Sequence, residues 1–200
     1  MSDSAVVLCG GRSSRMGRDK ASLPFGPETL LARVVRVVLT VVGDVVVIGH
    51  TLQSMPEDVR VVTDPVKGLG PLAGLATGLA AVHGERALLL ACDMPLLAPA
   101  LMRRLLVLAG DADACVPLVD DVPMPTCAVY ATRVLPRAQA CLAGGTRSLR
   151  ALLENVSVRW VAADELRDVD QDLVSFWDCD TPERYEAALT LAGFGPTRGA

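Results

Sequence analysis

The chain has 200 residues, a formal net charge of −4, 51% hydrophobic residues and only 4% aromatic ones. That length suits one ordinary domain with a sizeable core, and the acidic balance excludes a general nucleic-acid binder, which is normally basic. Of the 19 basic residues all but Lys20 and Lys67 are Arg, which marks each Lys as a candidate for chemistry rather than solubility.

In chain order, Ser4–Leu8 reads as a buried strand, followed by the loop CGGRSSRMGRDKASLPFGP. Thr29–Thr40 carries apolar residues at helical spacing, and Val45–Ile48 and Val59–Thr63 are β-branched runs. Pro71–Val82 is a helix of small residues suited to close packing on a sheet, and Ala87–Ala91 is another buried strand. Beyond it the pattern predicts helices over Pro99–Ala109, Arg133–Leu142, Ser148–Asn155 and Pro182–Ala192. Strands are expected at Ala114–Leu118, Thr126–Tyr130, Val156–Val161 and Val174–Trp177. Alternating strand and helix units predict one α/β domain over 1–200 with a mainly parallel sheet, right-handed crossovers and a frayed tail from about 193.

No apolar run reaches the roughly 18 residues of a membrane span, and MSDSAVVLCGG lacks the features of a signal peptide. The cysteines Cys9, Cys92, Cys115, Cys127, Cys141 and Cys179 form no CxxC and no Cys/His cluster. A zinc site or disulfide framework is therefore not expected, and the reading is a reduced, cytoplasmic protein away from membranes. His50 and His83 have no neighbours at ligand spacing and read as structural or exposed.

In open sheets of this kind ligands bind beyond the carboxyl ends of the strands. Three such ends carry polar or Gly-rich sequence: the loop after strand one, Asp64-Pro65 and Cys92-Asp93-Met94-Pro95. In the first, Gly10, Gly11 and Gly17 let the backbone approach a ligand and present free amides to phosphate. Arg15 adds a bidentate donor and Lys20 a compact point charge. The loop is neither a P-loop nor a dinucleotide fingerprint, since GxxxxGK[ST] and GxGxxG are both absent. Asp93, a carboxylate at a strand end, suits Mg²⁺, which takes oxygen ligands and bridges carboxylates to substrate phosphates. Asp64 reads equally as a turn residue or a ligand.

The stretch Leu8–Lys20, LCGGRSSRMGRDK, resembles the LAGGxSxRMGxDK signature of the molybdenum cofactor guanylyltransferase (MobA) family. The likeness continues in order through LPFG at Leu23–Gly26, GPLAG at Gly70–Gly74, CDMPLL at Cys92–Leu97, PMPT at Pro123–Thr126 and DTPERYEAA near the C-terminus. It implies a Rossmann-like three-layer α/β/α nucleotidyltransferase fold of the GT-A-like kind. It also implies transfer of GMP from GTP to Mo-molybdopterin with release of pyrophosphate. Carried over residue by residue, it places Leu8, Cys9, Gly10, Gly11, Gly17, Asp64 and Gly70 at the nucleotide and Arg15 and Lys20 at its phosphates. Asp93 falls on the family's metal-binding Asp, with Mg²⁺ as cofactor. GTP and Mo-molybdopterin are the implied substrates, and molybdenum-insertion proteins and molybdoenzyme chaperones the implied protein partners.

Two positions depart from the family pattern. Cys9 stands where Ala is usual, and Ile48 where the guanylyltransferases tend to have a polar residue. A third stretch, Asp178-Cys179-Asp180-Thr181-Pro182, stands where they carry Asn-x-Asn-Thr-Pro, and looks more like the cytidylyltransferases acting on the same cofactor. Two readings of that stretch stay open: Asp178 or Asp180 completes the Mg²⁺ site opposite Asp93, or Asp180 caps the helix at Pro182. CTP in place of GTP, a sugar-phosphate acceptor in place of the pterin, and a non-catalytic cofactor-binding role are the alternatives to the implied reaction. Lys67 and the Arg147–Arg150 pair read equally as substrate contacts or solvated surface.

Overall fold

The computed structural model describes residues 2–9, 19–49, 55–63 and 70–195. Strand β1 (Asp3–Cys9) lies at the middle of the main sheet, and a small antiparallel hairpin, β2 (Pro24–Phe25) and β3 (Glu28–Thr29), follows Lys20. Helix α1 (Leu30–Val38) leads to β4 (Asp44–Gly49) and β5 (Val59–Val62); α2 (Pro71–Ala81) leads to β6 (Arg86–Ala91) and α3 (Pro99–Ala109) to β7 (Ala114–Val119). Short β8 (Val122–Pro123) precedes β9 (Cys127–Ala131), α4 (Leu135–Ala143), α5 (Leu149–Leu153), β10 (Val158–Ala162) and α6 (Pro182–Leu191).

The strand order is β10-β7-β9-β6-β1-β4-β5, with β8 paired to β7. Contacts β1–β4, β1–β6, β4–β5 and β7–β10 are parallel, whereas β9 runs antiparallel to both β6 and β7. The mainly parallel sheet expected from the alternation is therefore the one observed. Strand-face alternation separates two cores. Ala5, Val7, Val45, Val47, Leu88 and Leu90 face α1 and α3 through Leu31, Val34, Leu101 and Leu105. Val6, Val46, Leu89, Val116 and Ala128 face α2, α4 and α5 through Leu72, Leu75, Ala138 and Leu152. Helices on both faces make the three-layer arrangement.

The small residues of α2 do what small residues do on a sheet. A Cβ at Gly78 would stand 2.4 Å from Val6 Cγ1, and one at Gly74 2.6 Å from Leu8 Cδ2, so the helix axis lies closer than any side chain permits. Helix ends follow local capping: Thr29 Oγ1 accepts from Ala32 N at 3.2 Å, Ser148 Oγ from Arg150 N at 3.2 Å and Thr181 Oγ1 from Arg184 N at 3.3 Å. A third, smaller core joins the β2–β3 hairpin to α6 through Leu23, Phe25, Cys179 and Ala188. Phe194 adds an edge-on ring to Phe25 at 5.5 Å between centroids.

Two elements differ from expectation. Val174–Trp177 is not a strand: Val174–Phe176 form a 3₁₀ turn, because the buried Asp170 carboxylate accepts from the Val174 and Ser175 amides at 3.1 and 2.9 Å. Pro24–Phe25, expected within a loop, and Glu28–Thr29, whose Thr29 is expected to open the helix, pair as the hairpin, closed by Gly26-Pro27.

Candidate active site

The parallel strands β1, β4, β5 and β6 all end on one edge of the sheet, and the described site residues collect there. Cys9 ends β1 between Gly49 of β4 and Cys92 beyond β6; the Cys92 amide donates to the Leu8 carbonyl at 3.1 Å. Gly49 is required by this closeness: its φ is +136°, and a Cβ there would lie 1.6 Å from the Cys9 carbonyl oxygen. The Cys92 thiol hydrogen-bonds Cys9, which together with burial sets the two apart. Cys9 is held below the ordinary thiol value by that bond, and Cys92 is pushed well above it.

Lys20 enters from the 3₁₀ turn Lys20–Ser22, whose start is held by Asp19 Oδ1 accepting from Ala21 N at 3.2 Å. Its Nζ donates to Asp93 Oδ2 at 2.7 Å and to Asp180 Oδ1. Residues 73 and 160 positions away in the chain thus meet on one ammonium. The Lys20–Asp93 limb is the sheltered one, with side chains 16% and 15% exposed against 51% for Asp180. Burial pulls the Lys20 ammonium towards neutrality, but bonds to Asp180 and Asp93 more than offset it and its pKa is raised. Lys20 is a permanent cation here.

Side-chain geometry separates the members of Asp178-Cys179-Asp180-Thr181. Thr181, not Asp180, caps α6. Asp178 turns the other way: its Oδ1 accepts from Arg184 Nε at 2.9 Å and from Asp180 N at 3.2 Å. Cys179 N donates to the Asp93 carbonyl at 2.9 Å, which ties this loop to the end of β6. Two carboxylate oxygens, from Asp93 and Asp180, therefore converge within the span of a single cation. Among the described residues no group of three or more His, Cys, Asp or Glu side chains comes together.

Of the other residues singled out in the sequence, Leu8 and Cys9 lie at the end of β1, and Gly70 precedes α2 with the Arg147 backbone against it. The Arg147 and Arg150 side chains are exposed. Ile48 is 3% exposed and joins the core beneath α2 with Leu75 and Leu79, so the family's polar position is apolar packing here. Gly10, Gly11, Arg15, Gly17, His50, Asp64 and Lys67 lie outside the described residues. Trp177 and Arg184, which sequence reasoning passed over, belong to the site's support. The signal was present in an Arg on the first turn of α6, six residues after Asp178.

A doubly covered, mainly parallel sheet with a lysine and two carboxylates gathered at its C-terminal edge defines an α/β nucleotidyltransferase. The chain belongs to the MobA-like NTP transferase family, whose domain model matches residues 5–165. A probable molybdenum cofactor guanylyltransferase of Methanothermobacter thermautotrophicus is 36% identical over 192 residues, covering 90% of this chain and 96% of that one. The molybdenum cofactor guanylyltransferase of Desulfosudis oleivorans is 33% identical over 186 residues, covering 92% of each. Among solved structures, the molybdopterin-guanine dinucleotide biosynthesis protein A of Archaeoglobus fulgidus superposes with a TM-score of 0.80 at 26% identity, covering 96% of this chain and 99% of that one.

Proposed function

We propose that this chain transfers GMP from GTP to Mo-molybdopterin, releasing pyrophosphate and forming the guanine dinucleotide form of the cofactor. The observation that carries the reading is the meeting of Lys20 with Asp93 and Asp180 at the end of the loop that resembles the family signature. In the reaction a terminal phosphate oxygen of the pterin forms a bond to the α-phosphorus of GTP while the bond to the pyrophosphate oxygen breaks. The attacking phosphate is already ionised near neutral pH, so no side chain need accept a proton. The enzyme's work is alignment and charge stabilisation.

Lys20 supplies a fixed positive charge to the triphosphate, and the resemblance assigns Arg15 to it as a forked donor. The resemblance assigns Leu8, Cys9, Gly10, Gly11, Gly17, Asp64 and Gly70 to the nucleotide, and of these Leu8 and Cys9 stand at the β1 end. Asp93 and Asp180 suit Mg²⁺, since both are hard oxygen donors and both reach one cationic atom. Bound there, the ion would supply charge neutralisation across the phosphates. Asp178 stands outside this set because its carboxylate is held by Arg184.

The Asp-x-Asp pattern that pointed to CTP thus has a structural use for its first carboxylate, and the relatives' names support GTP. No helix of the described residues is long and apolar enough to cross a membrane; we place the protein in the cytoplasm, where its product passes to molybdenum-insertion proteins and molybdoenzyme chaperones. The test is a panel of nucleoside triphosphates with Mg²⁺ and purified Mo-molybdopterin, with pyrophosphate release measured and products weighed by mass spectrometry. A GMP adduct formed with GTP is the expected result. A CMP adduct overturns the choice of base, turnover with a sugar phosphate overturns the acceptor, and silence with every nucleotide overturns the reaction.

A further inference from the structure

We infer that Arg184 is a positioning residue for the cation site: it fixes the loop that aims the Asp180 carboxylate. The inference rests on the reading of Asp180 as a cation ligand. Arg184 is bonded to residues 177–181 through its amide, its carbonyl and its Nε. Its amide donates to Thr181 Oγ1 at 3.3 Å and its carbonyl accepts from Trp177 Nε1 at 3.0 Å. Its Nε donates to both the carbonyl and Oδ1 of Asp178, at 3.0 and 2.9 Å. The guanidinium carbon lies 4.4 Å from the centre of the Trp177 ring.

The consequence passes along the loop. With its Oδ1 held by Arg184, Asp178 presents the same oxygen to the Asp180 amide at 3.2 Å. Cys179, between them, is held by the Asp93 carbonyl at 2.9 Å. The backbone is thereby held at two successive amides, those of Cys179 and Asp180, and the Asp180 side chain meets Lys20 beside Asp93. Arg suits this place: its planar guanidinium donates through Nε–H while its carbon stands over an indole ring, which an ammonium cannot reproduce.

A role in general stability is the competing account, and exposure argues against it. The Arg184 and Asp178 side chains are 40% and 36% exposed, and ion pairs in that position add little to the folding equilibrium. Partners that orient metal ligands, by contrast, change metal affinity about 10- to 100-fold when removed.

The experiment titrates Mn²⁺ alone into the wild-type protein, Asp180→Asn, Arg184→Ala and Arg184→Lys, following the free ion by electron paramagnetic resonance and melting each protein by circular dichroism. Arg184→Ala is expected to weaken Mn²⁺ binding about tenfold with little change in melting temperature, and Arg184→Lys to recover only part of the loss. If Arg184→Ala does not fold, Arg184→Met keeps the aliphatic stem over Trp177, lacks the Nε–H and carries the same expectation. Weakened binding in Asp180→Asn together with wild-type binding in the folded Arg184 variants overturns the inference and leaves the Asp180 reading standing. Wild-type binding in Asp180→Asn itself overturns the Asp180 reading, and the positioning role falls with it.

Discussion

The two edges of the parallel sheet use charge in opposite ways. At the edge where the strands begin, Asp44 and Asp3 are each matched to an Arg. Asp44 accepts from Ser4 Oγ at 2.6 Å, from the His83 amide at 2.7 Å and from Arg60 Nη2 at 2.5 Å. Asp3 accepts from Arg86 Nε at 3.0 Å, and the same guanidinium reaches the Leu106 carbonyl at 3.0 Å. These are forked, fixed contacts that tie helix ends to strands. At the edge where the strands finish, Asp93 and Asp180 share a single ammonium, so that trio carries a net negative charge. Arg holds the structural edge, and Lys, a point charge on a flexible stem, stands at the chemical one. The difference teaches where balance serves folding and where imbalance serves a cationic partner.

Substitutions at the two edges should therefore separate activity from stability. The largest effect is expected at Asp93→Asn, which keeps the shape and removes the sheltered carboxylate charge. Pyrophosphate release should fall about 10³-fold while the melting temperature stays close to that of the wild type. Normal turnover with Mg²⁺ would put the cation elsewhere. Lys20→Ala is expected next, with a loss of about 10²-fold in kcat at saturating GTP; an unchanged rate would remove Lys20 from the phosphates.

The smallest effect on catalysis, and a real one on folding, belongs to the opposite edge. Asp44→Asn should leave kcat unchanged and cost about 2 kcal/mol in urea unfolding. Its pH dependence has a definite sign. Burial pushes the Asp44 carboxyl up, but the His83 amide, the Ser4 hydroxyl and Arg60 more than offset that and hold it below the ordinary value. The folded protein thus gives up this proton more readily than the unfolded chain. The resulting stability is present above about pH 4 and is lost as pH falls through the folded-state value. Stability measured between about pH 5 and pH 2 should fall more steeply in the wild type than in Asp44→Asn; equal slopes would remove Asp44 from the balance.

Much of this division is legible in the amino-acid sequence. β-branched runs marked β1, β4, β5 and β6, and their common parallel direction brought their polar ends to one edge. The small residues of α2 announced its close approach to the sheet. What the residues did not announce was decided by partners distant in the chain. Asp180 and Thr181 are both capping types side by side, and the choice between them turned on Lys20, 160 residues earlier. The run Val-Ser-Phe-Trp at 174–177 has strand composition, yet the Asp170 carboxylate bends it into a turn. The reversed direction of β9 leaves no trace in periodicity, because a buried strand alternates the same way in either sense. Arg184 resembled any helix-surface Arg until its partners were in place.

Gly49 sets the gauge of the binding edge. The peptide of Cys9 passes where any other residue would carry its β-carbon, so the ends of β1 and β4 leave no room between them for a side chain at 49. A side chain at 49 would act as a wedge beneath the origin of the loop after β1, displacing it without touching a nucleotide. Residue 49 is thus closed to substitution by clearance and backbone angle together, and among the described glycines it is the one whose added Cβ would meet the closest neighbour, at a position with no chemistry of its own.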